Sequence, residues 1–292
     1  MVVRVRVGMP RVSNDGVGIA YDVDGPREAP VVAFCEGLGY GRWMWRFQRE
    51  RLDGFRTIAF DNRGTGESDA PTDADAYSIA AFASDLEAVL EAEDVDSAHV
   101  VGASMGGMTA QRYAHEYDRA ASLTLLCTSH GGEESVSIPE ETKARMFSVP
   151  EDADEREAIK HKMEPAMTDA FWAANQALID DIVDWRLASD AGDAARAMQA
   201  EAVLAFDSTP WLVEVTVPTL VMHGTGDRVL PVENARQVHE HLPDSDLELY
   251  EDGSHLFFVE EPEAVTADIR EHVGSVTGTS DGATTAAGES DA

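Results

Sequence analysis

A chain of 292 residues that is 43% apolar has enough material for a full core, which sets aside global disorder, and none of its apolar runs reaches the length of a membrane span. Its 22 basic and 55 acidic residues give a formal net charge of −33, which argues against binding nucleic acid, where phosphates need a basic face. The first residues alternate Val and Arg and lack the continuous apolar stretch of a signal peptide, so a cytoplasmic location is expected.

Residues 2–7 and 17–23 flank Ser13-Asn14-Asp15-Gly16, a turn cluster, and read as a hairpin. Residues 31–35 form a short apolar run closed by Gly37-Leu38-Gly39, the pattern of a buried parallel strand. A helix is expected over 42–53 and a strand over 56–60, which ends in Asp61-Asn62-Arg63-Gly64-Thr65-Gly66. Ile79, Phe82, Leu86, Val89 and Leu90 recur at helical spacing and predict an amphipathic helix over 78–93. A strand at 99–102, a helix at 105–117 and a strand at 122–127 follow. From 131 to 209 no strand pattern occurs, and Phe171, Trp172, Leu178, Ile182, Val183 and Trp185 recur at three and four, so this block is helical. Alternation then resumes with a strand at 218–224, a helix at 232–242, a strand at 247–250 and a helix at 262–273. Residues 274–292 are Gly, Ser, Thr, Ala and acids and read as a disordered acidic tail. The expected architecture is α/β: a mostly parallel sheet covered on both faces, built from 1–130 and 210–273, with a helical insertion at 131–209.

The two cysteines, Cys35 and Cys127, end apolar runs without metal-ligand spacing and read as small buried residues, a bridge between them being allowed by count alone. No cofactor or metal site is expected.

Gly102-Ala103-Ser104-Met105-Gly106 is a G-x-S-x-G sequence between a predicted strand and a predicted helix. A sharp turn there lifts the Ser104 hydroxyl above the sheet and sets free helix-start N–H groups beneath it, where a developing oxyanion would sit. Ser104 is the candidate nucleophile. Of nine histidines, His255 has the best setting for its base, on a loop after a strand at the carboxyl edge of the sheet. The others read as surface or satisfied core residues; His223, the nearest rival, ends a strand and reads as a support for its loop. Asp227, on the loop after the preceding strand, is the candidate orienting acid, and the order Ser, Asp, His is the order this chemistry takes on such sheets. Two backbone donors would complete an oxyanion hole: the amide of Met105 and, from the loop after an earlier strand, that of Leu38.

These motifs resemble the α/β-hydrolase superfamily, in particular the group of 3-oxoadipate enol-lactonases, carboxylesterases and cofactor-free haloperoxidases. The resemblance runs from about residue 17 to 272 and rests on Gly37-Leu38-Gly39, Phe60-Asp61-Asn62-Arg63-Gly64-Thr65-Gly66-Glu67-Ser68, Gly102-Ala103-Ser104-Met105-Gly106-Gly107, His223-Gly224-Thr225-Gly226-Asp227 and Gly253-Ser254-His255. It implies an eight-stranded sheet, a helical cap at 131–209, and a serine hydrolase that cleaves a small-molecule ester, lactone or thioester through an acyl-enzyme. Other chemistries share the machinery: carbon–carbon bond hydrolysis, acyl transfer, and perhydrolase or haloperoxidase activity. Some members of the fold bind ligands without turnover. An enol-lactone substrate would need a cation for its carboxylate, which Arg145 or Arg186 could supply; Phe171, Trp172, Trp185 and Met146 read as core rather than pocket lining. One departure concerns Glu36, where the family usually has His before the glycine; its carboxylate is expected to point away from the oxyanion or to meet Arg63. Oligomeric state is not legible.

Only three lysines occur, and the acids are spread along the chain rather than gathered in one block. That pattern resembles proteins of extreme halophiles, in which hydrated carboxylates tolerate molar salt and the salt screens their mutual repulsion.

Overall fold

A computed structural model of the chain describes residues 9–278. The hairpin turn falls where expected, but its first strand is β1 (Arg11–Asn14), paired antiparallel with β2 (Val17–Asp24). The strand predicted at 2–7 lies outside the described residues. The next elements are β3 (Val31–Cys35), α1 (Arg46–Arg49), β4 (Arg56–Phe60), α2 (Ile79–Ala92), β5 (Ala98–Ala103), α3 (Met105–Glu116) and β6 (Ala120–Leu126). The helix expected over 42–53 is only a 3-10 turn, Arg42–Trp45, leading into the single turn of α1. Its cause is tertiary: Trp45 is wholly buried against Phe34 and Phe258, and the chain must then turn at Gly54, at φ +90°, to enter β4.

After β6 the chain leaves the sheet at Gly131 and returns at Asp207, the two joined by an isolated antiparallel bridge. Between them lie α4 (Glu140–Phe147), α5 (Glu155–Met163), α6 (Asp169–Ala174), α7 (Gln176–Ser189) and α8 (Asp193–Leu204). The sheet resumes with β7 (Thr219–Gly224), α9 (Glu233–His241) and β8 (Ser245–Tyr250), and the described chain closes with α10 (Phe257–Glu260) and α11 (Pro262–Thr277). The last helix runs past the expected residue 273: Gly274 is buried inside it, and the stop is Gly278 in the left-handed conformation. The tail from residue 279 onward lies outside the described residues.

The eight strands form one sheet in the order β1-β2-β4-β3-β5-β6-β7-β8, parallel from β4 to β8. Period-two alternation divides the core between its faces. Val32, Phe34, Val101 and Met222 face one side and pack with Trp45, Phe257, Phe258 and Ile269. Val31, Ala33, Val100, Leu123 and Val221 face the other and meet Leu86 and Leu90 of α2, Tyr113 of α3 and Val238 of α9. Each large side chain so buried contributes about 1.5–3 kcal/mol. From β3 the chain runs to β4 on one side and then to β5 on the other, so β3 and β5 flank the point where strand order reverses. The crevice outside the carboxyl ends of these two strands is where such sheets bind ligands.

Among the described residues no helix is long and apolar enough to cross a membrane. Cys35 and Cys127 are buried and unbridged.

Candidate active site

β5 delivers Ser104 to that crevice. Its backbone sits at φ 55°, ψ −118°, a sparsely populated region that costs about 1–3 kcal/mol and persists only where the surroundings over-determine it. They do so here: the Ser104 amide donates to Leu126 O of β6 (2.9 Å), and Ser104 O accepts from the Thr128 hydroxyl (2.7 Å). Glycines let the turn pack. A Cβ on Gly106 would lie 2.0 Å from Cys35 O, and one on Gly102 would lie 2.2 Å from Gly106 O, so only glycine lets α3 start directly beneath the end of β3.

β7 and β8 end alongside at Gly224 and Tyr250 and carry Asp227 and His255 on adjoining loops. His255 Nδ1 lies 2.7 Å from Asp227 Oδ2, and both side chains are nearly inaccessible. Asp227 Oδ1 accepts from the Val229 (2.7 Å) and Leu230 (2.9 Å) amides. Burial alone would raise the Asp227 carboxyl, but the His255 and His223 imidazoles and their hydrogen bonds outweigh it and hold the carboxyl well below the usual range. Asp227 therefore stays an anion, accepts from Nδ1–H, and leaves His255 Nε2 as the unprotonated nitrogen. Among the described residues neither His255 Nε2 nor the Ser104 hydroxyl is engaged by another protein group. The Cys127 thiol lies by the Ser104 backbone and within the field of Asp227, and burial foremost pushes it far above its ordinary range, so it is an inert filler beneath the site.

The loop after β3 faces Ser104: a Cβ on Gly37 would stand 3.7 Å from Ser104 Cβ. Among the described residues the Leu38 and Met105 amides donate to no protein acceptor. Two unengaged N–H groups thus stand on the segments that meet at the serine, one on the residue after it and one on the residue after Gly37.

Of the two arrangements expected for Glu36, pointing away from the oxyanion or meeting Arg63, the second is not made: the Arg63 guanidinium makes a bidentate pair with Asp85 (2.8 and 2.7 Å). Glu36 is fully buried, neither carboxyl oxygen has a hydrogen-bond partner among the described residues, and burial first, then the Asp61 carboxylate, push its proton affinity far up. Both effects favour the protonated form, which carries no charge to oppose an oxyanion. Neither arginine proposed for a substrate carboxylate stands free: Arg145 pairs with Glu164, and Arg186 with Asp190 (2.7 Å) and the Tyr40 ring. Phe171, Trp172, Trp185 and Met146 are partly buried against the core.

Sequence reasoning missed part of His223. Its Nε2 reaches Leu230 O (2.9 Å), which supports the loop as expected, but also Asp227 Oδ2 (3.1 Å), so two imidazoles share one carboxylate oxygen. The four-residue spacing from His223 to Asp227 was the available signal. A cavity of about 440 Å³ between α2 and α8, bordered by Tyr77, Ile79, Met198 and Phe206, is lined by none of Ser104, Asp227, His255, Leu38 or Met105.

Residues 30–262 match the model of the α/β-hydrolase fold family. A protein of Variovorax paradoxus named "Putative carbamate hydrolase RutD" is 32% identical over 82% of this chain and 90% of its own length. The solved enol-lactonase of Burkholderia xenovorans is 26% identical, with a TM-score of 0.78 over 90% of this chain and 99% of that one. An esterase of Exiguobacterium antarcticum is 26% identical, with a TM-score of 0.79 over 91% of this chain and 99% of that one.

Proposed function

The chain belongs to the α/β-hydrolase family and is an enzyme of the hydrolase type, and from that premise we propose that it cleaves a small carboxylic ester or lactone through an acyl-enzyme formed on Ser104. The observation that carries the reading is the 2.7 Å contact between His255 Nδ1 and Asp227 Oδ2 at the edge of the sheet where Ser104 emerges. It fixes the tautomer in which Nε2 can take a proton. His255 Nε2 removes the Ser104 Oγ proton as Oγ bonds to the acyl carbon. The carbonyl oxygen, now an oxyanion, lies between the Leu38 and Met105 amides. Collapse breaks the bond to the leaving alcohol, whose oxygen takes the proton from Nε2. Water, deprotonated by the same nitrogen, then attacks the acyl-enzyme; the acid leaves and Ser104 recovers its proton.

Residues 131–209 act as the cap that selects the substrate. The names of the relatives support an ester, lactone or carbamate, which are all acyl compounds open to this attack. The test combines labelling by a fluorophosphonate with a panel of p-nitrophenyl esters of rising chain length, small lactones and an aryl carbamate. Ser104→Ala is expected to lose labelling and about a million-fold in kcat with its melting temperature kept, and Asp227→Asn about ten-thousand-fold. Turnover by purified Ser104→Ala would overturn the assignment.

A further inference from the structure

The loop that carries the Leu38 amide is held mainly by the helical insertion. Its own contribution is a tight turn in which the Tyr40 amide donates to Gly37 O (3.2 Å). Both polar groups of Gly39 belong to the insertion: its N–H donates to Gln199 Oε1 of α8 (2.7 Å), and its C=O accepts from the Ala191 amide (2.9 Å). Just beyond, Asp190 Oδ1 accepts from the Gly41 amide (3.3 Å) and from Trp43 Nε1 (3.0 Å).

Gln199 is the centre of this arrangement. It is wholly buried, and its Nε2 donates to Arg63 O and to the Thr65 hydroxyl, each at 3.0 Å. A buried primary amide is costly unless its donors and acceptor are used, and here all are, each on a loop at the carboxyl edge of the sheet. Three successive peptide planes are thereby fixed: 37–38 by the Tyr40 turn bond, 38–39 by Gln199 and 39–40 by Ala191. Gly39 stands at φ +76°, in the region where glycine turns most freely. Without the Gln199 acceptor nothing else among the described residues takes the Gly39 N–H; the 38–39 plane is then free to rotate, and the adjoining 37–38 plane, which carries the Leu38 N–H, keeps only the Tyr40 bond to Gly37 O and loses its fixed neighbour.

We propose that Gln199 is a positioning residue for the oxyanion hole: from the insertion it fixes the 38–39 peptide plane, and so steadies the adjoining 37–38 plane that carries the Leu38 N–H. This rests on the serine-hydrolase reading above, and it makes the insertion part of the reaction machinery as well as a selector of substrate. Donors aimed beforehand at an oxyanion act on the transition state more than on the bound substrate, so their loss falls on kcat.

Three variants test it. Gln199→Met keeps the bulk and loses the acceptor, Gln199→Asn keeps an amide but withdraws it by one methylene, and Gln199→Glu keeps an acceptor at full reach. Ile182→Val, in the buried core of the insertion, controls for general loosening. With the best ester of the panel, the Met and Asn variants are expected to lose about 10²–10³-fold in kcat with KM little changed. Their affinity for a boronic acid that mimics the tetrahedral adduct should fall in step. The acid limb of the pH–rate profile should stay in place, because the His255–Asp227 pair is untouched, and Gln199→Glu should recover much of kcat. Folding is checked by circular dichroism and melting, and the Asn variant decides the matter where Met does not fold. Parental kcat in a folded Met or Asn variant, a loss confined to KM, or a comparable loss in Ile182→Val would overturn the proposal. Failure of the parent enzyme to be labelled at Ser104 would instead overturn the serine-hydrolase reading, whatever Gln199 does.

Discussion

The Glu36 side chain is sealed just after β3, and neither of its carboxyl oxygens has a hydrogen-bond partner among the described residues. Its affinity for a proton in the fold is far above that of an ordinary glutamate, first through burial and then through Asp61. In the unfolded chain it ionises near pH 4.3. Between these two values the folded state holds a proton that the unfolded state has released, so stability declines as pH rises through that window. An amide in place of the carboxyl takes up no such proton. Glu36→Gln is therefore expected to leave the melting temperature near pH 4 almost unchanged and to raise it at pH 7–8, by about 2–4 °C for each kcal/mol released. Melting curves across pH 4–9 check this; a lower melting temperature at pH 8 would mean that the carboxylate is ionised and paired. The environment of Glu36 was not legible in the sequence, because Arg63 had a second acid within reach, Asp85 on α2, and nothing in residue order ranks the two. Ser104, Asp227 and His255 were legible as candidates because each sits in a local glycine-rich turn at a strand end. Gln199 was not, because its partners lie more than 130 residues away in the chain and its neighbours in α8 carry only helix periodicity.

At the scale of elements, the central strands were readable because both faces of the sheet are covered: β3 is buried at every position and appears as an unbroken apolar run, while β4, equally buried, starts with Arg56 and Thr57 and shows only the short run Ile58-Ala59-Phe60. The short pieces were not. α1 is cut down by the turn at Gly54, and α10 is a single turn between the His255 loop and α11. The order of contacts inside the insertion was equally hidden. Its segment near Met167 receives Arg228, beside Asp227, and Ala166 O receives the Leu256 amide, beside His255 (2.9 Å), while the junction of α7 and α8 holds the Leu38 loop. α3 lies close against β3 at Gly106, where a Cβ would meet Cys35 O at 2.0 Å. Backbone cannot yield as the end of a flexible side chain can, so Gly106→Ala must push the start of α3, and with it the Met105 amide, away from β3. Overpacking of this kind costs about 1–3 kcal/mol or more. The variant should therefore lose stability and, in whatever fraction folds, about 10²–10³-fold in kcat through the displaced donor. Gly192→Ala at the start of α8, where a Cβ meets nothing within 4 Å, should be nearly silent in both. Comparable behaviour of the two glycines in melting and kinetics would refute the steric argument.

For the whole molecule the governing quantity is the charge of −33. At 0.01 M ionic strength the Debye length is about 30 Å, so carboxylates repel across the entire surface; near 1 M it is about 3 Å and only neighbours interact. Folding concentrates this charge, and the folded state suffers the repulsion more than the expanded chain does. Salt acts in the opposite sense on attraction. Exposed ion pairs such as Arg27–Asp94 and Arg11–Asp69 lose part of a contribution that is only about 0–1 kcal/mol each, whereas Arg63–Asp85, buried on both sides, is screened little. With 55 acids against 22 bases, most acids have no cation to lose, so relief of repulsion dominates. The melting temperature is expected to rise by on the order of 5–10 °C between 0.01 and 1 M NaCl, about 2–3 kcal/mol for a chain of this size. The rise should then flatten, because screening is nearly complete and chloride adds only weakly to the exclusion of apolar surface. A continued climb to several molar would point to bound or specifically hydrated ions. Ending the chain at Gly278 removes Asp281, Glu289 and Asp291 alone among the acids, so the truncated protein should keep nearly the whole response. A flat series in the full chain would show that repulsion is not the term that salt relieves, and a response lost on truncation would place it in residues 279–292.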